Sequence, residues 1–272
     1  MIEGLEIFLS ARRCTSKEAM KSLEGKTAFI TGASSGIGAA CARAFASQGA
    51  RLILNARRTE RLDALTKELK VPTYVSRFDV RKLDEVKSAL ESLPPDWSSI
   101  DILVNNAGLA RGMEKFHEGN IQDWEEMLDT NVKGLMYVTR LVLPGMVARG
   151  EGHIVNIASL AGIETYPNGA LYCASKAAVR VITDGLKKDL LGTQIRVTAI
   201  SPGMVQTEFS EVRFHGDKGR AALAYKGMTP LQAEDVADAV LFSVTRPSHV
   251  NISEIVLMPT DQSGTTMVHH RS

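Results

Sequence analysis

From about Thr27 onward the chain alternates short β-branched runs with helical patterns, and this alternation constrains the fold more than any other feature. Parallel strands cannot be joined by a hairpin and need a crossover, so strand–helix–strand succession implies βαβ units and a parallel sheet. Strands are expected at KTAFIT, RLILNA, TYVSRFDV, DILVNNA, HIVNIA, RVTAIS and SEIVLM. Between them the apolar spacing is helical: Leu62, Leu65 and Leu69 follow i, i+3, i+7, as do Leu83, Val86 and Leu90. Each set would lay one apolar stripe on the sheet.

The expected fold is α/β: a single-domain, Rossmann-like, doubly wound parallel sheet of about seven strands with helices on both faces. Proline and glycine punctuate the connections, but no low-complexity linker divides the 272 residues. Residues 1–24 stand outside the alternation as an N-terminal extension, and residues 25–272 form the one domain. Within it, residues 208–230 are too long for a simple turn and are expected to be a lid or substrate loop.

Bulk properties narrow the partners. Lys plus Arg number 32 against 31 Asp plus Glu, so the one-sided positive field that a nucleic-acid binder needs is missing. Cys14, Cys41 and Cys173 fit neither a disulfide framework nor a CxxC metal pair. Glu3 and Glu6 replace the basic start of a signal peptide, and no apolar stretch has the length of a membrane span. The expectation is a cytoplasmic protein with no nucleic-acid or membrane partner. The isolated His117, His153 and His215 have no ligand spacing, and no metal is expected.

Directly after the first expected strand comes Thr31-Gly32-Ala33-Ser34-Ser35-Gly36-Ile37-Gly38, followed by a helical pattern. Glycine is needed where backbone N–H groups approach a pyrophosphate, and the helix N-terminus behind adds a favourable dipole. A lone glycine cluster also suits a bare strand-to-helix turn. Here the Gly-x-x-x-Gly-x-Gly spacing, in its strand-before and helix-after setting, favours a dinucleotide site. An NAD site would place Asp or Glu at the end of the second strand to accept the ribose 2′-hydroxyl. This strand ends instead in Leu54-Asn55-Ala56-Arg57-Arg58. Guanidinium groups suit a 2′-phosphate. Arg57 and Arg58 can equally be read as solvated residues at a helix start, but the missing acid favours NADP(H).

Tyr172-Cys173-Ala174-Ser175-Lys176 falls at a helix start, so the four-residue spacing sets phenol and ammonium on one face. A nearby positive charge would lower the phenol pKa from about 10 toward working pH, as proton transfer requires. Such a pair also arises by chance on helix surfaces. Ser159 ends the fifth expected strand, at the carboxyl edge of the sheet where open α/β folds bind ligands. Its plainer reading is a turn former or helix cap.

Taken together, TGASSGIG, Asn105-Asn106-Ala107-Gly108, Asn131 in DTNVKG, Ser159, YCASK and Ser201-Pro202-Gly203 resemble the short-chain dehydrogenase/reductase family, in the family's order from about residue 25 onward. The resemblance implies Tyr172 as general acid/base, Lys176 on the nicotinamide ribose, Ser159 orienting the substrate oxygen and Asn131 holding a proton-relay water. For the cofactor it implies the loop Gly32, Ala33, Ser34, Ser35, Gly36 and Ile37 together with Arg57 and Arg58. It further implies Asp79 and Val80 at the adenine, Asn106, Ala107 and Gly108 at the ribose, and Pro202, Gly203, Val205 and Thr207 at the nicotinamide amide. Without their company Asn106 to Gly108 and Pro202-Gly203 would read as turn chemistry.

KGLMYVTRLVLPGMVARG, EVRFHGDKGRA and HVNISEIVLMP resemble more closely the branch of NADP-dependent 3-hydroxy acid dehydrogenases. That branch oxidises L-serine, L-allo-threonine and related β-hydroxy acids, and would also reduce short semialdehydes. Residues 1–24 have no counterpart in its shorter members, and PGMVQTEF is slightly shorter than the corresponding loop of some. A carboxylate substrate needs a cation or several donors to offset its desolvation. Arg213 is the first candidate and Arg111 the second; both also suit solvated loop positions. The alternatives kept open are a carbonyl reductase for bulkier ketones and a catalytically silent NADP-binding sensor. The resemblance also implies a homotetramer, through helices near residues 121–147 and 170–191 packed across two-fold axes.

Overall fold

The computed structural model describes residues 22–271; Cys14 and the expected N-terminal extension up to residue 21 lie outside them. The seven expected strands are all present: β1 (Thr27–Ile30), β2 (Arg51–Asn55), β3 (Thr73–Ser76), β4 (Ile102–Asn105), β5 (Glu151–Ile157), β6 (Gln194–Pro202) and β7 (Glu254–Leu257). They form one sheet in the order β3-β2-β1-β4-β5-β6-β7, with every pairing parallel. Strand order reverses between β1 and β4, which opens a crevice at the carboxyl edge of the sheet.

Alternation of side chains splits each central strand between two cores. Ala28 and Ile30 of β1, with Leu52 and Leu54 of β2, face α1 (Gly36–Ser47), α2 (Thr59–Glu68) and α9 (Ala233–Val244). Phe29 and Ile53 point the other way, toward α3 (Leu83–Glu91) and α5 (Leu135–Arg149). Both faces being covered explains why these strands read as continuous apolar runs. Along α2, Leu62 and Leu65 are buried. On α3 the expected stripe is shorter: Val86 is buried, but Leu83 is 46% exposed. Leu83 is the first residue of its helix, and the helix approaches the sheet only from its second turn.

The third strand also stops early. TYVSRFDV was expected to be extended throughout, but β3 ends at Ser76. The buried Asn55 amide donates to the carbonyls of Ser76 at 3.1 Å and Phe78 at 3.0 Å. A side chain thus takes over where the ladder would continue, and residues 77–80 bend into the crevice. Beyond β4, α4 (Ile121–Leu128) runs through a π-helical segment (Asp129–Gly134) into α5. The long α6 (Ala170–Asp189) covers β5 and β6, and residues 208–230 contain two short helices, α7 (Phe209–Arg213) and α8 (Lys218–Leu223). No helix among the described residues is long and apolar enough to cross a membrane.

Candidate active site

The carboxyl ends of β1, β2, β4, β5 and β6 line one elongated cavity of about 380 Å³. Its floor at β1 is the glycine loop. Gly32 has φ +66°, and a Cβ there would lie 2.9 Å from the Cα of Ala107; one on Gly38 would lie 2.4 Å from the Gly32 carbonyl oxygen. These two glycines are therefore required by the packing of the loop on α1 and on the β4 exit, before any ligand is considered. Asn106 completes that packing by donating its amide to the carbonyls of Thr31 at 2.9 Å and Gly32 at 3.2 Å. Ser35 stands at the N-cap of α1 without a side-chain cap. The first-turn N–H groups of that helix are thus left for an anion, which is what a pyrophosphate needs.

All the residues expected at the cofactor line this cavity except Ala33, which is buried behind it with its N–H donated to the Asn55 carbonyl at 2.9 Å. Arg57 and Arg58 stand at its rim, each already facing an acid. An Nη of Arg57 lies 3.7 Å from Asp79. Arg58 bonds Glu208 at 2.9 Å, Ser35 at 2.8 Å and Ser34 at 3.3 Å. Asp79 is held mainly by Arg81, whose guanidinium and backbone N–H both donate to it. Burial alone would raise the Asp79 carboxyl; these donors outweigh it and hold its pKa below the usual range.

At the other end of the cavity, α6 presents Tyr172 and Lys176, both buried. The Lys176 ammonium donates to the Ile157 carbonyl at 2.8 Å, and burial brings its pKa down to about 8. Lys176 is not the cation that faces the phenol. Arg213 is: its guanidinium carbon lies 5.1 Å from the centre of the Tyr172 ring, 5.3 Å from Phe209 and 5.7 Å from Tyr166. The expected lowering of the Tyr172 pKa is also not found. Burial pushes it above the ordinary phenol value, and Arg213 and the Ser159 hydroxyl offset only part of that rise. Ser159 caps the short turn Leu160–Gly162, accepting from the Ala161 N–H at 3.1 Å, so its plainer reading holds as well.

Asn131 is brought to the site by the π-helical segment. Its amide donates to the Leu109 carbonyl at 2.8 Å and to the Ser175 hydroxyl at 3.0 Å, while its carbonyl accepts from the Leu109 N–H at 2.8 Å. One side-chain donor is spent on the β4 exit and the other on Ser175 of α6, so the amide ties these two elements together. A relay water would have to use the second lone pair of Oδ1 or the main-chain carbonyl.

Of the two arginines considered for a carboxylate, Arg111 lines the cavity but is occupied, with Glu126 at 2.8 Å and with the Val212 carbonyl. Arg213 differs. One Nη donates to the Tyr166 hydroxyl at 2.7 Å, the other is 4.0 Å from the Met113 sulfur, and the enclosed Nε has no partner among the described residues. Arg213 is only partly buried and is not itself among the residues that line the cavity, but it faces Tyr172 and Phe209, which are. A guanidinium with an unspent donor there can take an anion. Tyr166, Phe209, Arg61 and Glu208 did not stand out in the sequence. They meet the site through contacts between segments distant along the chain, and no local motif marks them. Among the described residues no group of three His, Cys, Asp or Glu side chains is placed to hold a metal ion.

Comparison with known proteins bears on this geometry. The sequence profile of the short chain dehydrogenase family matches residues 26–218. The NADP-dependent 3-hydroxy acid dehydrogenase YdfG of Shigella flexneri is 50% identical over 244 residues, 89% of this chain and 98% of that protein. The NADP-dependent 3-hydroxy acid dehydrogenase of Schizosaccharomyces pombe is 43% identical over 257 residues, 93% of this chain and 99% of that one. Among solved structures, the closed form of serine dehydrogenase complexed with NADP+ superposes with a TM-score of 0.87 at 48% identity, covering 90% of this chain and all of that one.

Proposed function

Because the chain belongs to the short-chain dehydrogenase family, we propose that it is an NADP(H)-dependent oxidoreductase acting on CH–OH groups. Its substrate is a small 3-hydroxy acid of the L-serine, L-allo-threonine or 3-hydroxypropionate type, interconverted with the 3-oxo acid or semialdehyde. The observation that carries this reading is Arg213, a cation over the Tyr172 ring whose enclosed Nε has no partner among the described residues. A substrate hydroxyl placed against Tyr172 and Ser159 has its own carboxylate a few bonds away. Arg213, which faces Tyr172, would take that carboxylate.

A bound nicotinamide would supply the hydride chemistry at the substrate carbon. The residues of this chain supply everything else. Tyr172 gives its phenolic proton to the carbonyl oxygen in reduction and, once that proton has left through the relay water, takes the hydroxyl proton in oxidation, while Ser159 orients the oxygen. With a pKa of about 8, Lys176 is mostly cationic at neutral pH and holds the nicotinamide ribose. Asn131 fixes Leu109 and, through its remaining lone pairs, a relay water. The uncapped start of α1 and the loop Gly32 to Ile37 would hold the pyrophosphate, and Arg57 and Arg58 would hold the 2′-phosphate. Asp79 and Val80 border the adenine, Asn106 to Gly108 the ribose, and Pro202, Gly203, Val205 and Thr207 the nicotinamide amide. Residues 208–230, with α7 and α8, form the cover over the substrate.

The same proposal places the enzyme in the cytoplasm, where the buried free thiols of Cys41 and Cys173 stay reduced, as a homotetramer joined through α5 and α6. The deciding assay follows absorbance at the NADPH band with short 3-hydroxy acids, neutral alcohols of equal length and alkyl or aryl ketones. Turnover should be highest with the acids. A preference for bulky uncharged ketones would replace this reading with that of a carbonyl reductase, and no turnover with any would make the chain a silent sensor.

A further inference from the structure

One carboxylate ties three parts of the cavity rim together. Glu208, immediately before α7, accepts from Arg58 at 2.9 Å and, through its other oxygen, from Arg61. Arg58 in turn donates to both serines of the glycine loop. The glycine loop, the start of α2 and the start of α7 thus meet at Glu208. These donors, Arg61 foremost, hold the Glu208 carboxyl below the usual carboxylate range. The side chains of Glu208, Arg58 and Arg61 are 39%, 46% and 46% exposed, so the pairs are solvent-screened and displaceable.

A carboxylate and a phosphate monoester make the same demand on a guanidinium: anionic oxygens facing its planar fork. Two anions cannot share one fork without repulsion. We propose that Glu208 is a tethered competitor of the cofactor's 2′-phosphate for Arg58, set in place by the chain itself. On binding, the phosphate takes Arg58 and leaves the carboxylate with Arg61 alone. The strap between the glycine loop and α7 is then loosened, so capture of the phosphorylated cofactor and release of the α7–α8 segment are coupled. Coupling of this kind is reciprocal: whatever holds α7 against the rim must weaken the phosphate's hold on Arg58. Glu208 is accordingly a specificity-determining residue that acts on the 2′-phosphate and on no other part of the dinucleotide.

The inference rests on the NADP(H) reading, and one experiment separates the two. Calorimetric titrations with 2′-AMP and 5′-AMP are run on the full chain and on Glu208→Gln, which keeps the shape and removes the charge. If the NADP(H) reading holds, the wild-type chain binds 2′-AMP more tightly than 5′-AMP; equal affinity overturns that reading and the inference with it. Given that preference, Glu208→Gln should lower Kd for 2′-AMP about two- to fivefold, the range expected on removing an exposed ionic competitor, and leave 5′-AMP unchanged. Glu208→Ala should move the same way. Without nucleotide, trypsin should cut both variants faster than wild type at Arg213, Lys218 or Arg220. Unchanged or weaker 2′-AMP binding in the two variants would show that Glu208 does not compete, and equal changes for both nucleotides would reduce it to a strut.

Discussion

Arg213 and Lys176 are both cations held close to where chemistry is proposed, and their surroundings give them opposite duties. Arg213 keeps a donor in reserve. If that donor serves the substrate carboxylate, Arg213→Ala should raise KM for L-serine or 3-hydroxypropionate about ten- to hundredfold, the cost of a lost hydrogen bond to a charged group. KM for neutral alcohols of equal length should stay within twofold. An equal rise for both classes would mean that Arg213 only supports the pocket wall through Tyr166 and Phe209. Lys176 has one of its three donors on the Ile157 carbonyl and is held at a pKa of about 8 by burial. Its folded pKa lies below its unfolded one, so the unfolded chain binds more protons between about pH 8 and 10.5, and folding stability from this group rises with pH across that window. Below pH 8 the full cost of burying the charge is borne. Lys176→Met should therefore be inactive yet more stable than wild type at pH 7, by about 1–2 kcal/mol after the orphaned Ile157 carbonyl is counted. The gain should shrink toward pH 10, and a gain independent of pH in urea titrations would show that charge burial is not its source.

At the scale of elements, the glycine loop has little freedom. Gly38→Ala sets a methyl carbon 2.4 Å from a backbone oxygen that has nowhere to move, because Asn106 holds the same carbonyl. Overpacking of this kind should cost about 1–3 kcal/mol in a urea midpoint measurement, whether or not nucleotide is present. A variant of full stability with weakened nucleotide binding would return the glycine to a purely ligand-facing role. The same loop shows what the sequence could reveal. The central strands were legible because they are apolar runs buried on both faces, the half-buried edge strands β3 and β7 because of their β-branched and aromatic residues, and the loop because its glycines and flanking elements are local. Leu83 misled because periodicity does not say which turn of a helix first touches the sheet. The helices α7 and α8 were not legible, being five and six residues long within a segment read as a loop. The pairing of Glu208 with Arg58 joins residues 150 apart, and the cation facing Tyr172 comes from α7 rather than from its own helix. No sequence spacing encodes either contact.

For the whole molecule, several apolar side chains are exposed among the described residues. Met136 and Val147 on α5, Val181 on α6 and Leu191 just beyond it are 47%, 49%, 72% and 89% exposed. Their coverage by a second and third copy is what the proposed tetramer supplies. Val181→Glu would bury a charge in such an interface, so light scattering should give a tetramer for wild type and a smaller assembly for the variant. A wild-type monomer would leave those side chains as ordinary surface.

The π-helical segment between α4 and α5 has a consequence that reaches beyond the site. An α-helix turns about 100° per residue, so one surplus residue works like a frameshift between the two halves of the rod. Upstream and downstream side chains answer to different clients: Asn131 to the loop after β4, and Val138, Val142 and Met146 to the sheet. A regular helix could satisfy only one of them, since any rotation that kept the amide pointing inward would swing the downstream apolar row off the sheet. The irregularity lets a single continuous helix keep two incompatible appointments, and shortening it by one residue would force the chain to break one of them.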